Sequence, residues 1–331
     1  MRPEADGRDG LIRIAVLGAS KSHPEPALTP HEVAQIEAVD PRVRIAWVRD
    51  RSTWLEEAPE AEIIFGFRPL RQGAVRATRL RWVHALGAGV EGLSQDVAGT
   101  EIIITNAHIH GDAIAEHIFA LILVHIRRLR GALEAQAVRR WAHNDLHPQL
   151  LAGRTMGILG LGTLGRATAS RAAAFGLRVW GTKRTPGPVP GVERVLPPDA
   201  LDEVLRVSDV LVATLPLTKE TRNLLGAREL GLLPRGAFVV NVGRGGQLDE
   251  TVLADALRDG RLGGAGLDVF VDEPLPETSP LWAVPNLMIT PHSSGNFHGY
   301  MDRMIPVFCD NLRRYLAGQP LANVVDPARG Y

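Results

Sequence analysis

Arg244, Glu273 and His292 are the residues whose types and spacing best suit a reaction. Each stands just past an apolar run that reads as a strand, and open α/β sheets bind ligands outside the carboxyl ends of their strands. Distance along the chain thereby becomes proximity in space. An imidazole gives or takes a proton near neutrality, and a carboxylate on its other ring nitrogen fixes the tautomer and stabilises the charged ring. A guanidinium presents two parallel donors that match a carboxylate. The set suits hydride transfer to the ketone of a small 2-keto acid: His292 as general acid and base, Glu273 orienting it, and Arg244 holding the acid's carboxylate and polarising the adjacent carbonyl.

Hydride transfer needs a carrier, and Gly160-Leu161-Gly162-Thr163-Leu164-Gly165 supplies the signature of one. The segment follows a short apolar run and opens the Ala-rich stretch 166–175, which suits a helix. The first glycine allows the tight turn, the second lets backbone approach a pyrophosphate, and the third lets helix pack on strand. An NAD site commonly adds an Asp or Glu about 20 residues on for the ribose 2′-hydroxyl, yet residues 166–192 contain no acid. Thr182-Lys183-Arg184-Thr185 stands there instead, favouring the 2′-phosphate of NADP over NAD. A solvated turn with two surface cations is the plainer alternative.

The elements that must position these groups form two series of apolar runs with helical stretches between, the pattern of a parallel α/β fold. Residues 12–17, 43–48, 63–65, 82–86 and 102–105 predict five strands of one small sheet. Residues 157–159, 178–180, 210–213, 237–242, 264–269 and 287–290 predict six strands of a doubly wound sheet. Helices are expected over 111–140 and 298–316, at the passages between the two series. Residues 185–191, rich in Pro and Gly, read as a loop.

Composition narrows the class. With 331 residues, two domains are the natural expectation. Apolar residues make up 45% and charged residues 22%, ample for globular cores. Lys plus Arg and Asp plus Glu both number 37, so no charge surplus points to nucleic acid or a lipid surface. The most apolar long stretch, 113–126, is interrupted by Glu116, His117 and His125 and is too short to span a bilayer. A lone Cys309 and an acidic start, with Glu4, Asp6 and Asp9, lead to a cytoplasmic expectation.

Longer strings surround the reactive residues: Asn241-Val242-Gly243-Arg244-Gly245, then Gly266-Leu267-Asp268-Val269-Phe270 running to Glu273-Pro274-Leu275-Pro276, and Thr290-Pro291-His292-Ser293-Ser294-Gly295. With Ala115-Glu116-His117 and Leu215-Pro216-Leu217-Thr218, they make the region from about residue 103 to 295 resemble the D-2-hydroxyacid dehydrogenase family. The resemblance implies a Rossmann-type cofactor domain, 108–296, inserted into a flavodoxin-like substrate domain, 1–107 with 297–331. It implies cofactor contacts from Gly160, Gly162, Thr163, Leu164, Gly165, Lys183, Arg184, Leu215, Pro216, Val242, Gly243, Asp268 and Gly295, with Asp268 on the nicotinamide side. Gly87-Ala88-Gly89-Val90 matches the family's substrate loop, so Ala88, Gly89 and Val90 join Arg244 and His292 as substrate contacts. The basic Lys183-Arg184 makes the chain most similar to the family's glyoxylate and hydroxypyruvate reductases, and a homodimer is implied as well.

Other readings carry less. His108 with His110, and His143 with His147, have spacings that metals use, but no Cys or carboxylate cluster joins them. Trp282 either reaches a substrate across a dimer or packs a loop, the simpler reading. A cofactor-sensing, corepressor-like protein on the same fold is the non-enzymatic alternative. Amino-acid and zinc alcohol dehydrogenases would want a cleft lysine or several cysteines.

Overall fold

The computed structural model describes residues 10–17, 28–48, 51–66, 77–87, 89–90, 93, 97 and 99–326. It divides into two compact units, residues 1–109 with 297–331 and residues 110–296.

The first unit is built on five parallel strands: β1 (Ile12–Leu17), β2 (Val43–Val48), β3 (Ile63–Phe65), β4 (Trp82–His84) and β5 (Ile103–Thr105). Their order, β2-β1-β3-β4-β5, is that of flavodoxin-like sheets. Side chains alternate between two buried faces, as strands covered on both sides require. Ile14, Val16, Phe65 and Trp82 meet Ile36 of α1 (Pro30–Glu37) and Phe308 of the C-terminal helix Tyr300–Leu316. Ala15, Ile64 and Val83 meet Trp54 of α2 (Arg51–Glu57) on the other face. Strands β4 and β5 are shorter than the sequence suggests, β4 ending at His84 and β5 beginning at Ile103.

The second unit carries α3 (Gly111–Ile126), α4 (Leu129–Ala137), β6 (Thr155–Leu159), α5 (Thr163–Ala174), β7 (Arg178–Thr182), β8 (Arg194–Leu196), α6 (Leu201–Val207), β9 (Val210–Ala213), α7 (Ala227–Leu232), β10 (Phe238–Asn241), α8 (Glu250–Arg258), β11 (Gly264–Leu267) and β12 (Leu287–Ile289). The order is β12-β11-β10-β9-β6-β7-β8, with the Rossmann reversal between β6 and β9. The sheet has seven strands where the sequence pattern gave six. The extra one, β8, is a three-residue edge strand whose Arg-Val-Leu side chains are at most half-buried, so it carries no apolar run to notice. Helix α5 starts at Thr163 rather than 166, directly after the extended Gly162. Val240 packs with Ile158 and Val212 on one face, and Val239 with Leu211 and Ala265 on the other.

Register matters most for function. Thr182, Leu159, Ala213, Asn241, Leu267 and Ile289 pair in one row across six strands. Because all these strands are parallel, the chain leaves every one of them on the same edge. Among the described residues, no helix is long and apolar enough to cross a membrane.

In the first unit, one hydroxyl ties two strands. Thr105 Oγ1 accepts from Trp82 Nε1 at 2.8 Å and meets His84 Nδ1 at 2.8 Å. His84 also stacks on Phe65. Burial drives its pKa down to about 3. An unfolded histidine protonates near about 6.5, so below that pH the unfolded chain gains a proton that the folded chain refuses. Stability is therefore lost as pH falls from about 6.5 toward 3, at roughly 1.4 kcal/mol per unit for this group. In urea melts at pH 7, 5.5 and 4.5, His84→Leu is expected to show a shallower loss of unfolding free energy than the native chain; parallel slopes would contradict it.

Candidate active site

The glycine motif sits at the reversal of strand order. Gly160 leaves β6 with φ +99°, a left-handed conformation suited to glycine. Its N–H donates to Thr182 Oγ1 at 3.3 Å, while the Thr214 hydroxyl donates to the Gly160 carbonyl at 2.8 Å. The three glycines differ in what surrounds them. A Cβ on Gly160 would lie 2.9 Å from Leu215 Cδ2. One on Gly165 would overlap the Gly160 carbonyl oxygen, so that position is closed by packing of helix on strand. One on Gly162 would have no protein atom within 4 Å. Gly162 is also the N-cap of α5 and provides no side-chain cap, and a helix N-terminus of this kind suits an anion. Thr163 and Leu164 open that helix. An open glycine beside an uncapped helix start fits a dinucleotide pyrophosphate.

Lys183, half-buried, and Arg184, exposed, follow the end of β7, and the Lys183 N–H is tied to the Leu196 carbonyl at 2.9 Å. Across the reversal, Leu215 and Pro216 follow β9 and are held by Gln247, whose amide donates to the two carbonyls at 2.7 and 2.9 Å. Glu220, in the same loop, is held below its usual pKa by hydrogen bonds from the Thr218 side chain and its own backbone, then by the charges of Arg184 and Lys219. The basic pair and this loop thus flank the glycine turn.

Arg244 follows β10 by three residues. Asn241, at the strand end, shapes the turn: its Oδ1 accepts from the Gly243 N–H and its Nδ2 donates to the Arg244 carbonyl, both at 3.0 Å. Val242 and Gly243 are buried beneath it. The guanidinium donates from Nη1 to the Gly243 carbonyl at 2.7 Å. A Cβ on Gly245 would overlap the backbone of Phe270, so the loop after β10 is pressed against the loop after β11.

That second loop carries Glu273. Its Oε1 accepts from the Phe270 N–H at 2.8 Å and its Oε2 meets His292 Nδ1 at 2.7 Å. Burial raises the Glu273 pKa, but the His292 and Phe270 hydrogen bonds and the nearby charges of His292 and Arg244 outweigh it and leave the carboxyl below its usual range. Glu273 is thus a carboxylate facing an imidazole. His292 has φ +51°, in the left-handed region that non-glycine residues adopt infrequently, Asn, Asp and His more than most.

Asp268 directly follows β11 and is buried in the core. Its side chain has 0% exposure, and it accepts from the Thr290 hydroxyl at 2.6 Å and from the Ser293 and Ser294 N–H groups at 2.9 Å each. Sequence reasoning missed Thr290, Ser293 and Ser294 as its partners, and placed His117 only on the helix expected from residue 111. His117 Nε2 lies 3.0 Å from Thr290 Oγ1. Their presence in the string Thr290 to Gly295 was the available signal. Gly295 closes the turn, packed on the His110 ring.

Other sequence candidates lie elsewhere. Gly89 and Val90 belong to the first unit, Val90 being buried, while Ala88 lies outside the described residues. Among the described residues, no group of three or more His, Cys, Asp or Glu is arranged to hold a metal ion. The Trp282 indole donates to the Pro276 carbonyl at 2.9 Å, bracing the loop.

Residues 119–294 match the family model for the D-isomer specific 2-hydroxyacid dehydrogenase, NAD binding domain. A glyoxylate reductase from Aeropyrum pernix is 34% identical over 291 residues, spanning 83% of this chain and 85% of that protein. A D-3-phosphoglycerate dehydrogenase from Mycobacterium leprae is 30% identical over 300 residues, which is 88% of this chain but 56% of that longer protein. Among solved structures, an NADPH-dependent glyoxylate/hydroxypyruvate reductase from Sinorhizobium meliloti, in complex with NADP and sulfate, superposes with a TM-score of 0.83 at 28% identity, covering 97% of this chain and 100% of that one.

The glycines separate folding from binding. Gly162→Ala is expected to weaken NADP binding at least about tenfold in calorimetry while shifting the Tm of the free protein by under roughly 2 °C. Gly165→Ala, which meets backbone, is expected to lower Tm by several degrees. Equal behaviour of the two variants would contradict this division.

Proposed function

The chain belongs to the D-isomer specific 2-hydroxyacid dehydrogenase family, and on that footing we propose that it reduces a small 2-keto acid to the D-2-hydroxy acid with NADPH, glyoxylate or hydroxypyruvate being the leading substrates. The observation that carries the reading is the 2.7 Å pairing of Glu273 Oε2 with His292 Nδ1. A carboxylate on Nδ1 keeps a proton on that nitrogen, so Nε2 is the atom that exchanges a proton with substrate. Bound NADPH supplies the hydride. As negative charge develops on the ketone oxygen, His292 Nε2 donates its proton there, and Glu273 stabilises the imidazolium that holds this proton beforehand. The Arg244 guanidinium grips the acid's carboxylate and polarises the adjacent carbonyl. Ala88, Gly89 and Val90 are assigned as backbone donors to the same carboxylate.

For the cofactor, Gly160, Gly162, Thr163, Leu164 and Gly165 hold the pyrophosphate, and Lys183 and Arg184 hold the 2′-phosphate. Leu215, Pro216, Val242, Gly243, Asp268 and Gly295 line the remainder. NADP is favoured over NAD because two cations follow β7 where an acid would select the free hydroxyl. Residues 108–296 serve the cofactor, and residues 1–107 with 297–331 the substrate. The setting is cytoplasmic: Cys309 is buried and has no second cysteine in the chain to pair with. A homodimer is supported by Leu133, Val138, Trp141 and Leu150, which are 64%, 70%, 91% and 73% exposed within one short stretch.

Turnover of glyoxylate, hydroxypyruvate, pyruvate and bulkier keto acids with each cofactor tests the reading. The expected result is reduction of the small acids with a higher kcat/KM for NADPH. His292→Ala should lose about 10²- to 10⁴-fold in kcat with cofactor binding intact, and Arg244→Lys should chiefly raise the KM for keto acid. Tight NADP binding without turnover of any keto acid would instead indicate a cofactor-sensing protein. In sedimentation, Trp141→Glu should convert a dimer to a monomer; an unchanged dimer would move the interface elsewhere.

A further inference from the structure

We infer that His117 is a positioning residue for the turn that carries His292, acting through Thr290 and Asp268. The inference rests on the catalytic reading of His292 given above. It begins from the direction of two hydrogen bonds. Thr290 Oγ1 lies 2.6 Å from Asp268 Oδ1 and 3.0 Å from His117 Nε2. A carboxylate only accepts, so the single hydroxyl proton of Thr290 goes to Asp268. The hydroxyl oxygen must then accept, and His117 Nε2 must donate. The chain of donors runs one way, from His117 to Thr290 to Asp268.

Its end point is the strained turn. Asp268 accepts the His292 N–H on its backbone carbonyl at 2.9 Å, and the Ser293 and Ser294 N–H groups on its two carboxylate oxygens at 2.9 Å each. These bonds hold His292 at φ +51°, in the left-handed region that side-chain-bearing residues adopt infrequently. Oδ1 serves both Thr290 and Ser293, so the hydroxyl's orientation bears directly on the turn. The His117 Nε2 also stands 3.9 Å from Asp268 Oδ1, so the ring lies beside the carboxylate as well as the hydroxyl. Without the His117 donor, the Thr290 hydroxyl is released to rotate and Oδ1 loses a partner. The turn then relaxes toward ordinary backbone and His292 loses its aim. A displacement of about 1 Å in a reacting group costs on the order of 100-fold.

The test compares His117→Leu, which removes the donor, with His117→Gln, whose amide nitrogen can reach the same oxygen, and with Thr290→Val, which breaks the chain one link later. Two readouts are taken on the full chain. Amide hydrogen exchange at Ser293 and Ser294 reports the turn without reference to activity, and steady-state kinetics with NADPH and the best keto acid report its consequence. His117→Leu and Thr290→Val are expected to speed exchange at these amides and to lower kcat by about 10- to 100-fold, with the cofactor Kd within threefold of native. His117→Gln should restore both readouts to within about threefold. The double variant His117→Leu, Thr290→Val should be no worse than either single, since one chain is broken once. Native-like exchange and kcat in His117→Leu would overturn the inference. So would additive losses in the double variant, or a Gln variant as impaired as Leu, each of which would reduce His117 to a packing role. If the native protein turns over no keto acid, the catalytic reading fails, while exchange at Ser293 and Ser294 still decides whether His117 holds the turn.

Discussion

Parallel strands in one register impose a constraint on which the rest of this protein depends: whatever follows the row from Thr182 to Ile289 emerges on a single edge. Strands in such a sheet are spaced by about 4.8 Å, so loops scattered over more than a hundred residues of chain are brought within reach of one another. The glycine turn, the basic pair, Arg244, Glu273 and His292 each come from a different strand end. Hydrophobic burial on both faces fixes the register, since a one-residue slip would turn the apolar set of a strand to the opposite face. Core packing and active-site geometry are in that sense one specification.

On this edge, polar side chains do the fine placement. Asn241 folds the Arg244 turn onto itself, and Gln247 ties the loop after β10 to the loop after β9. Asp268 gathers three donors where burial leaves it no water. An unpaired buried carboxylate is costly, so the donors and the acceptor enforce one another. Glu273 shows the same balance at half-burial: desolvation works against its charge and the bonds from His292 and Phe270 prevail.

Much of this was legible in the residues. Apolar runs located eleven of the strands, and the glycine spacing located the turn between β6 and α5, because periodicity and glycine geometry are local properties. Polar residues just past successive strands pointed to Arg244, Glu273 and His292, and the last two pair directly. What escaped was either weak locally or distant in sequence. Strand β8 presents Arg194 and only two apolar residues at a sheet edge. His117 lies 173 positions from Thr290, inside a helix whose apolar neighbours make it look like a core residue. No spacing rule links the two, since only the fold brings α3 beside Thr290, the residue after β12. The proposed substrate loop rests on a glycine pattern only, and Ala88 lies outside the described residues.

The left-handed backbone of His292 has a consequence for how this protein can change. At positive-φ positions glycine, and to a lesser degree asparagine, adopts the backbone with the least steric cost. Here the strained residue is itself the proton donor of the reading above, so the substitution that best suits the backbone is the one that removes the chemistry. Selection for robustness and selection for turnover pull in opposite directions at this one site. A hardened variant of this protein must therefore gain its stability elsewhere, in the sheets or on the surface, and leave that turn under tension.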